Sequence, residues 1–336
     1  MKGVLERLVS GQSLAEQEAS DLLTALTAED YPPALAGAVL AALRAKGETA
    51  EELRGFARAM RRLARRPLLP AGSPLVDTCG TGGDDSGSLN LSTGVALLAA
   101  ACGLRVAKHG NRSVSSRTGS ADVLEALGLP LPLGEGEAGA LLARTGFTFL
   151  FAPHYHPAMK SLAPVRRSLG IRTVFNLLGP LTNPAEPPFQ LVGAFSPRAA
   201  ELIAESLSGL AVERAFVVHG SDGWDEATPA GPFLLFEVRP GSVTRSVRDP
   251  ADYGLGRCRP ADLRGDGPAE NAAALTAALS GERGAHRDAL VLGTALVLEV
   301  TGTERVARAA AARATAAIDD GRAAVLLARL RGVPDA

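Results

Sequence analysis

Three short stretches of this 336-residue chain carry backbone and side chains suited to chemistry on phosphate. The first is Asp77-Thr78-Cys79-Gly80-Thr81-Gly82-Gly83-Asp84, after the apolar pair Leu75-Val76 and before a helical run from about Ser92. Closely spaced glycines let the backbone turn sharply and aim its N–H groups at phosphate oxygens, and a helix start adds partial positive charge. The second is Lys108-His109-Gly110-Asn111-Arg112-Ser113-Val114-Ser115-Ser116, followed by Gly119-Ser120-Ala121-Asp122. Its ammonium, amide, guanidinium and hydroxyls offer many donors to phosphate and ribose oxygens. The third is Asp222-Gly223-Trp224-Asp225-Glu226, behind the apolar Phe216-Val217-Val218. Adjacent carboxylates on a loop at a strand end suit Mg2+, a hard cation commonly shared between protein carboxylates and substrate phosphates.

Other patterns carry less. The first motif lacks the Gly-Lys-Ser/Thr of a P-loop and the third glycine of a dinucleotide fingerprint. A literal GxGxxG does occur at Gly134 to Gly139, but it follows Pro130 and Pro132 rather than a strand, and Glu135 and Glu137 would repel a pyrophosphate. His154 and His156 lack a third nearby ligand for zinc and read as cleft lining or packing. Cys79, Cys102 and Cys258 show no CxxC spacing, so neither a disulfide framework nor a zinc site is encoded, which suits a reducing cytoplasm.

The 35 basic and 36 acidic side chains nearly cancel, to a net charge of −1, which argues against a nucleic-acid-coating surface or a basic membrane anchor. Any anion site must be local. Ser86 to Ala121 contains no acidic residue but holds Arg105, Lys108, Arg112 and Arg117; Ala138 to Ala185 is also acid-free and holds Arg144, Lys160, Arg166, Arg167 and Arg172. These stretches predict a cleft for a strongly anionic ligand. No apolar run approaches the roughly 20 residues that span a bilayer, and Glu6 and Arg7 stand where a signal core would be, so a soluble, unprocessed protein is expected.

The elements that must position these motifs fall into two textures. Leu5 to Ala64 is spaced as several short helices, with Ser13 and Glu16 fitting a capping box and Gly47 a C-terminal stop. Arg66 to Pro74 reads as a linker. Beyond it, short apolar runs at Leu75-Val76, Arg105 to Ala107, Phe147 to Phe151, Ala215 to Val218 and Leu234 to Val238 alternate with helical stretches, the pattern of a largely parallel sheet flanked by helices. Ala269 to Leu330 returns to helical periodicity.

Taken together, DTCGTGGD (Asp77 to Asp84), NLST (Asn90 to Thr93), KHGNRSVSS (Lys108 to Ser116), GSADVLEALG (Gly119 to Gly128) and VFNLLGPLTNP (Val174 to Pro184) resemble the anthranilate phosphoribosyltransferase family in order and spacing, over nearly the whole chain. The resemblance implies an α/β fold with a small N-terminal helical domain (1–72, with a returning segment near 169–187) and a larger domain (73–168 and 188–336) around a mostly parallel sheet. It also implies a homodimer, with no nucleic-acid or membrane partner. The implied activity, in tryptophan biosynthesis, moves the phosphoribosyl group of phosphoribosyl pyrophosphate to the amine of anthranilate and releases pyrophosphate, with one or two Mg2+ ions. Carried across, Gly80, Gly83, Asp84, Ser88, Asn90, Leu91, Ser92, Thr93, Lys108, His109, Gly110, Asn111, Arg112, Ser113, Val114, Ser115, Ser116 and Ser120 would hold phosphoribosyl pyrophosphate. Gly80, Asn111 and Arg166 would meet anthranilate, Ser92, Asp225 and Glu226 would ligate magnesium, and Lys108, Arg166 and Asn111 would carry the catalytic roles. The chain departs from the family pattern at Ser88, Leu89 and Gly223-Trp224. A pyrimidine nucleoside phosphorylase and a non-catalytic nucleic-acid-binding relative of the same fold are the alternatives.

Overall fold

The computed structural model describes residues 2–84, 86–113 and 117–331. Four helices come first: α1 (Lys2–Val9), α2 (Glu16–Leu26), α3 (Pro33–Lys46) and α4 (Ala50–Leu63). Gly47 ends α3 with φ at +87°, as its position predicted. The expected Ser13/Glu16 box is not formed. Ala15 caps α2 and its N–H donates to Glu18 at 2.9 Å, while Glu16 reaches across to α4 and receives Arg54 and Arg58. Two charged donors outweigh one backbone N–H as partners for a carboxylate. A box does form at Thr49 with Glu52, two reciprocal bonds of 3.2 and 2.9 Å, and the buried Glu52 also takes Lys46 at 3.0 Å and the Leu14 N–H at 2.9 Å.

Seven strands follow: β1 (Leu75–Gly80), β2 (Arg105–Gly110), β3 (Phe147–Phe151), β4 (Phe189–Gly193), β5 (Arg214–Gly220), β6 (Phe233–Arg239) and β7 (Ser242–Arg248). They form one sheet in the order β3-β2-β1-β4-β5-β6-β7, parallel through β5 and antiparallel at β6 and β7. This is the α/β architecture expected, with two differences of detail. Leu75-Val76 is only the start of β1, so Asp77 to Gly80 is strand rather than loop. Two strands were not singled out from the sequence: the central β4, five residues long behind Pro187-Pro188, and the exposed edge strand β7, which is mostly polar.

Strand side chains alternate between two faces, and two hydrophobic cores follow. Val76, Leu191, Phe216 and Val218 pack with helix α5 (Leu91–Ala101) and helix Ala285–Val300. Cys79, Val192, Ala215 and Val217 share the other core with the N-terminal helices, helix Pro197–Ser208 and the segment that includes Phe175 and Leu181. Phe56 of α4 meets Phe175 edge-on at 6.4 Å, so that segment packs against the helical bundle. No helix among the described residues is long and apolar enough to cross a membrane.

Thr49→Ala removes the side-chain half of the α4 cap and is expected to lower stability by about 0.5–2 kcal/mol in a denaturant titration; an unchanged midpoint would show that Glu52 alone holds the helix start.

Candidate active site

The three sequence motifs meet at the C-terminal ends of the parallel strands, where open α/β sheets form their crevice. Gly82 and Gly83 adopt φ of +69° and +72°, a left-handed turn that suits glycine, just beyond β1. The carboxylate loop lies directly across the strand ends. A Cβ at Gly80 would stand 2.4 Å from Asp225 Oδ2, one at Gly193 1.5 Å from the Asp225 carbonyl oxygen, and one at Gly220 2.3 Å from that of Glu226. Gly193 and Gly220 were missed as site residues; their signal was a glycine closing each strand. Buried Trp224 seats the loop, its carbonyl accepting the Gly220 N–H at 2.9 Å.

Within this junction Asp225 Oδ2 accepts the Gly82 N–H at 2.6 Å, the Asp225 N–H donates to Asp84 at 3.2 Å, and Glu226 accepts the Ser92 N–H at 3.1 Å. Lys108 Nζ donates to the Thr78 carbonyl and, at 3.2 Å, to Ser92 Oγ. Burial pushes the Asp225 carboxyl well up, and Asp84 and Glu226 push it further. Burial raises Glu226 to about 7 against the pull of Lys108, and burial lowers the Lys108 ammonium against the pull of Asp77. Neither Asp225 nor Glu226 has an ion-pair partner within salt-bridge distance among the described residues. Buried carboxylates crowded in this way fit a divalent cation, which would reverse their mutual repulsion. No group of three His, Cys, Asp or Glu side chains forms a metal cage among the described residues, so substrate oxygens would have to complete the coordination.

On the other face of the sheet, His109 Nδ1 donates to the Gly179 carbonyl at 3.3 Å, and its ring meets His156 edge-on at 5.1 Å. Burial holds both imidazoles neutral, at about 3 for His109 and about 4 for His156, and both Nε2 atoms are buried without a hydrogen-bond partner among the described residues. Arg166 stacks over Phe175 at 5.0 Å, and burial lowers its pKa. Its guanidinium has no carboxylate partner among the described residues, which is what a carboxylate-binding arginine requires. The segment that carries it touches the junction twice, through Arg172, which donates to the Gly83 carbonyl and stacks on Phe195 at 4.6 Å, and through Gly179 at His109.

The acid-free stretches do not build one positive cleft. Arg112 is clamped by Asp122 and Glu125, Arg117 pairs with Asp266, and Arg105 clips the linker at Pro70 and Ser73. In the first stretch, acids from outside it neutralise Arg112 and Arg117. Arg144, Lys160 and Arg167 are exposed. Leu91 and Thr93 are buried, because α5 is apolar on nearly every side and leaves Ser92 facing Lys108. The Asn90 side chain is taken by the Thr118 carbonyl and Asn271. Ser120 Oγ donates to the Asn111 carbonyl, and Asn111 Oδ1 accepts the Arg112 N–H. Ser113 donates its N–H to Asp122, Ser88 forms a bridge with Arg264, and Gly110 closes β2 against Ser120. Val114, Ser115 and Ser116 lie outside the described residues.

The family models that match are the glycosyl transferase family helical bundle domain over residues 2–64 and the glycosyl transferase family a/b domain over 72–324. An anthranilate phosphoribosyltransferase of Desulforudis audaxviator is 47% identical over 331 residues, 98% of this chain and 95% of the relative. The chain belongs to the anthranilate phosphoribosyltransferase family. A crystal structure of the anthranilate phosphoribosyltransferase from Thermus thermophilus superposes with a TM-score of 0.91 at 43% identity, covering 98% of both chains. That of Saccharomyces cerevisiae in complex with PRPP and Mg superposes with a TM-score of 0.88 at 26% identity, covering 98% of this chain and 96% of that one.

The raised Glu226 carboxyl gives this anthranilate phosphoribosyltransferase family member a pH signature. In the cation-free protein the folded state keeps a proton that the unfolded chain releases, so Glu226 costs stability as pH rises from about 4.5 to about 7. The stability of the parent chain relative to Glu226→Gln is therefore expected to fall across that window in the presence of a chelator; a constant difference would refute the shift.

Proposed function

We propose that the chain transfers the phosphoribosyl group of phosphoribosyl pyrophosphate to the amine of anthranilate, releasing pyrophosphate, as a step of tryptophan biosynthesis. The observation that carries this reading is the pairing of Lys108 and His109 at one strand end. Lys108 faces Ser92 and the carboxylate loop, while the next residue faces the side that carries Arg166.

Ser92, Asp225 and Glu226 would hold Mg2+, with Asp84 beside them. When bound, Mg2+ supplies positive charge to the pyrophosphate as it leaves. Lys108 adds a buried ammonium to the same side, held in place before reaction and so stabilising leaving-group charge without reorganisation. The bond from the anomeric carbon to the pyrophosphate oxygen breaks, and the amine nitrogen of anthranilate forms the new bond to that carbon and then loses a proton. An aromatic amine is unprotonated at neutral pH, so no strong general base is needed and positioning carries most of the rate. Arg166 suits the anthranilate carboxylate through a charge-assisted pair, and neutral His109 and His156 line the way to it.

Arg166→Ala is expected to raise the KM for anthranilate by about tenfold to a hundredfold, the size of one charge-assisted hydrogen bond, with little change for phosphoribosyl pyrophosphate. Equal effects on both substrates would contradict its role. Asp225→Ala with Glu226→Ala should abolish turnover at any magnesium concentration, followed as loss of anthranilate fluorescence; near-normal turnover at saturating magnesium would sink the metal assignment.

A further inference from the structure

The hydrogen-bond ladder between β1 and β2 stops early. It pairs Leu75 with Arg105 and Val76 with Val106 and goes no further, although β1 continues against β4 to Gly80 and β2 against β3 to Gly110. Extending that register would place Thr78 opposite Lys108, with the Thr78 N–H on the Ala107 carbonyl and the His109 N–H on the Thr78 carbonyl. The backbone ladder does not extend to these positions, and side chains take up the groups instead. The His109 N–H donates to Asp77 Oδ1 at 3.2 Å, the Ala107 carbonyl accepts Asn183 Nδ2 at 2.8 Å, and the Thr78 carbonyl accepts Lys108 Nζ. Asn183 Nδ2 also donates to Asp77 Oδ2 at 2.8 Å, and Asn183 Oδ1 accepts the Ala185 N–H at 2.9 Å.

Asp77 and Asn183 are both fully buried, where an unmatched polar group is costly, yet an ordinary ladder would need neither. We propose that they are positioning residues: they replace the missing β1–β2 ladder, hold the gap open, and free the Thr78 carbonyl to seat the Lys108 ammonium beside Ser92. Asn183 comes from the segment that packs on the helical bundle. The carbonyls of that segment are pinned in turn by His109 at Gly179, Gln190 at Pro180 and Arg61 at Leu181. The gap is therefore propped from outside the sheet, and the prop comes from the side that carries Arg166.

The inference rests on the reading of Lys108 as the phosphate-facing cation, and a double-mutant cycle separates the two. Calorimetric binding of phosphoribosyl pyrophosphate with Mg2+ is compared for the parent chain, Asn183→Leu, Lys108→Ala and the double variant. Asn183→Leu is expected to weaken binding about tenfold in the parent but less than about threefold once Lys108 is gone, because it acts through that ammonium. The isosteric Asp77→Asn should behave in the same way, with a smaller loss. Equal losses with and without Lys108 would overturn the positioning role while leaving the reading of Lys108 intact. Unchanged affinity in Lys108→Ala alone would overturn that reading and the inference with it. Failure of both gap variants to give folded protein would assign the pair to folding alone and also overturn it.

Discussion

A strand sends successive side chains to opposite faces, and this site depends on that rule at two neighbouring positions of β2. Lys108 turns toward α5, Ser92 and the carboxylate loop, while His109 turns toward Gly179 and His156. A shift of one residue in the β2 register would exchange them, placing an ammonium beside the neutral His156 and an imidazole among carboxylates. The arrangement is protected because both strands are locked on their outer sides, β1 to β4 and β2 to β3, and only the inner ladder is left open.

Much of this was legible in the sequence. The apolar run Phe147 to Phe151 became a strand with those ends, and the three motifs converge because parallel strands deliver their following loops to one edge. The strand β4, as long as β3, was passed over behind a proline pair, and β7 was not legible because it is a polar edge held by its neighbour rather than by burial. The capping box was misplaced because Ser13-x-x-Glu16 and Thr49-x-x-Glu52 have the same spacing, and only the packing of α2 on α4 decides which glutamate is drawn away by arginines. Asp77 belonged to a phosphate motif by its neighbours, yet it faces Asn183, a partner 106 positions away that no local pattern reveals.

Charge was the hardest feature to read along the chain, since pairing happens in space. The clamp of Arg112 by Asp122 and Glu125 joins one acid-free stretch to the acids just beyond it. The positive character left at the strand ends comes from single residues in defined places, and beside it Asp84, Asp225 and Glu226 crowd together, which raises the Asp225 and Glu226 carboxyls.

The neutrality of His109 and His156 has a consequence for selection among ligands. With both rings uncharged down to about pH 4, the aromatic side offers the guanidinium of Arg166 and two uncharged partners, while Arg61 beside them is engaged by Glu186 and the Leu181 carbonyl. On the proposed reading such a compartment counts charge as well as shape. Arg166 balances one carboxylate, whereas the second carboxylate of an aromatic dianion of similar outline would meet uncharged rings rather than a second open guanidinium among the described residues.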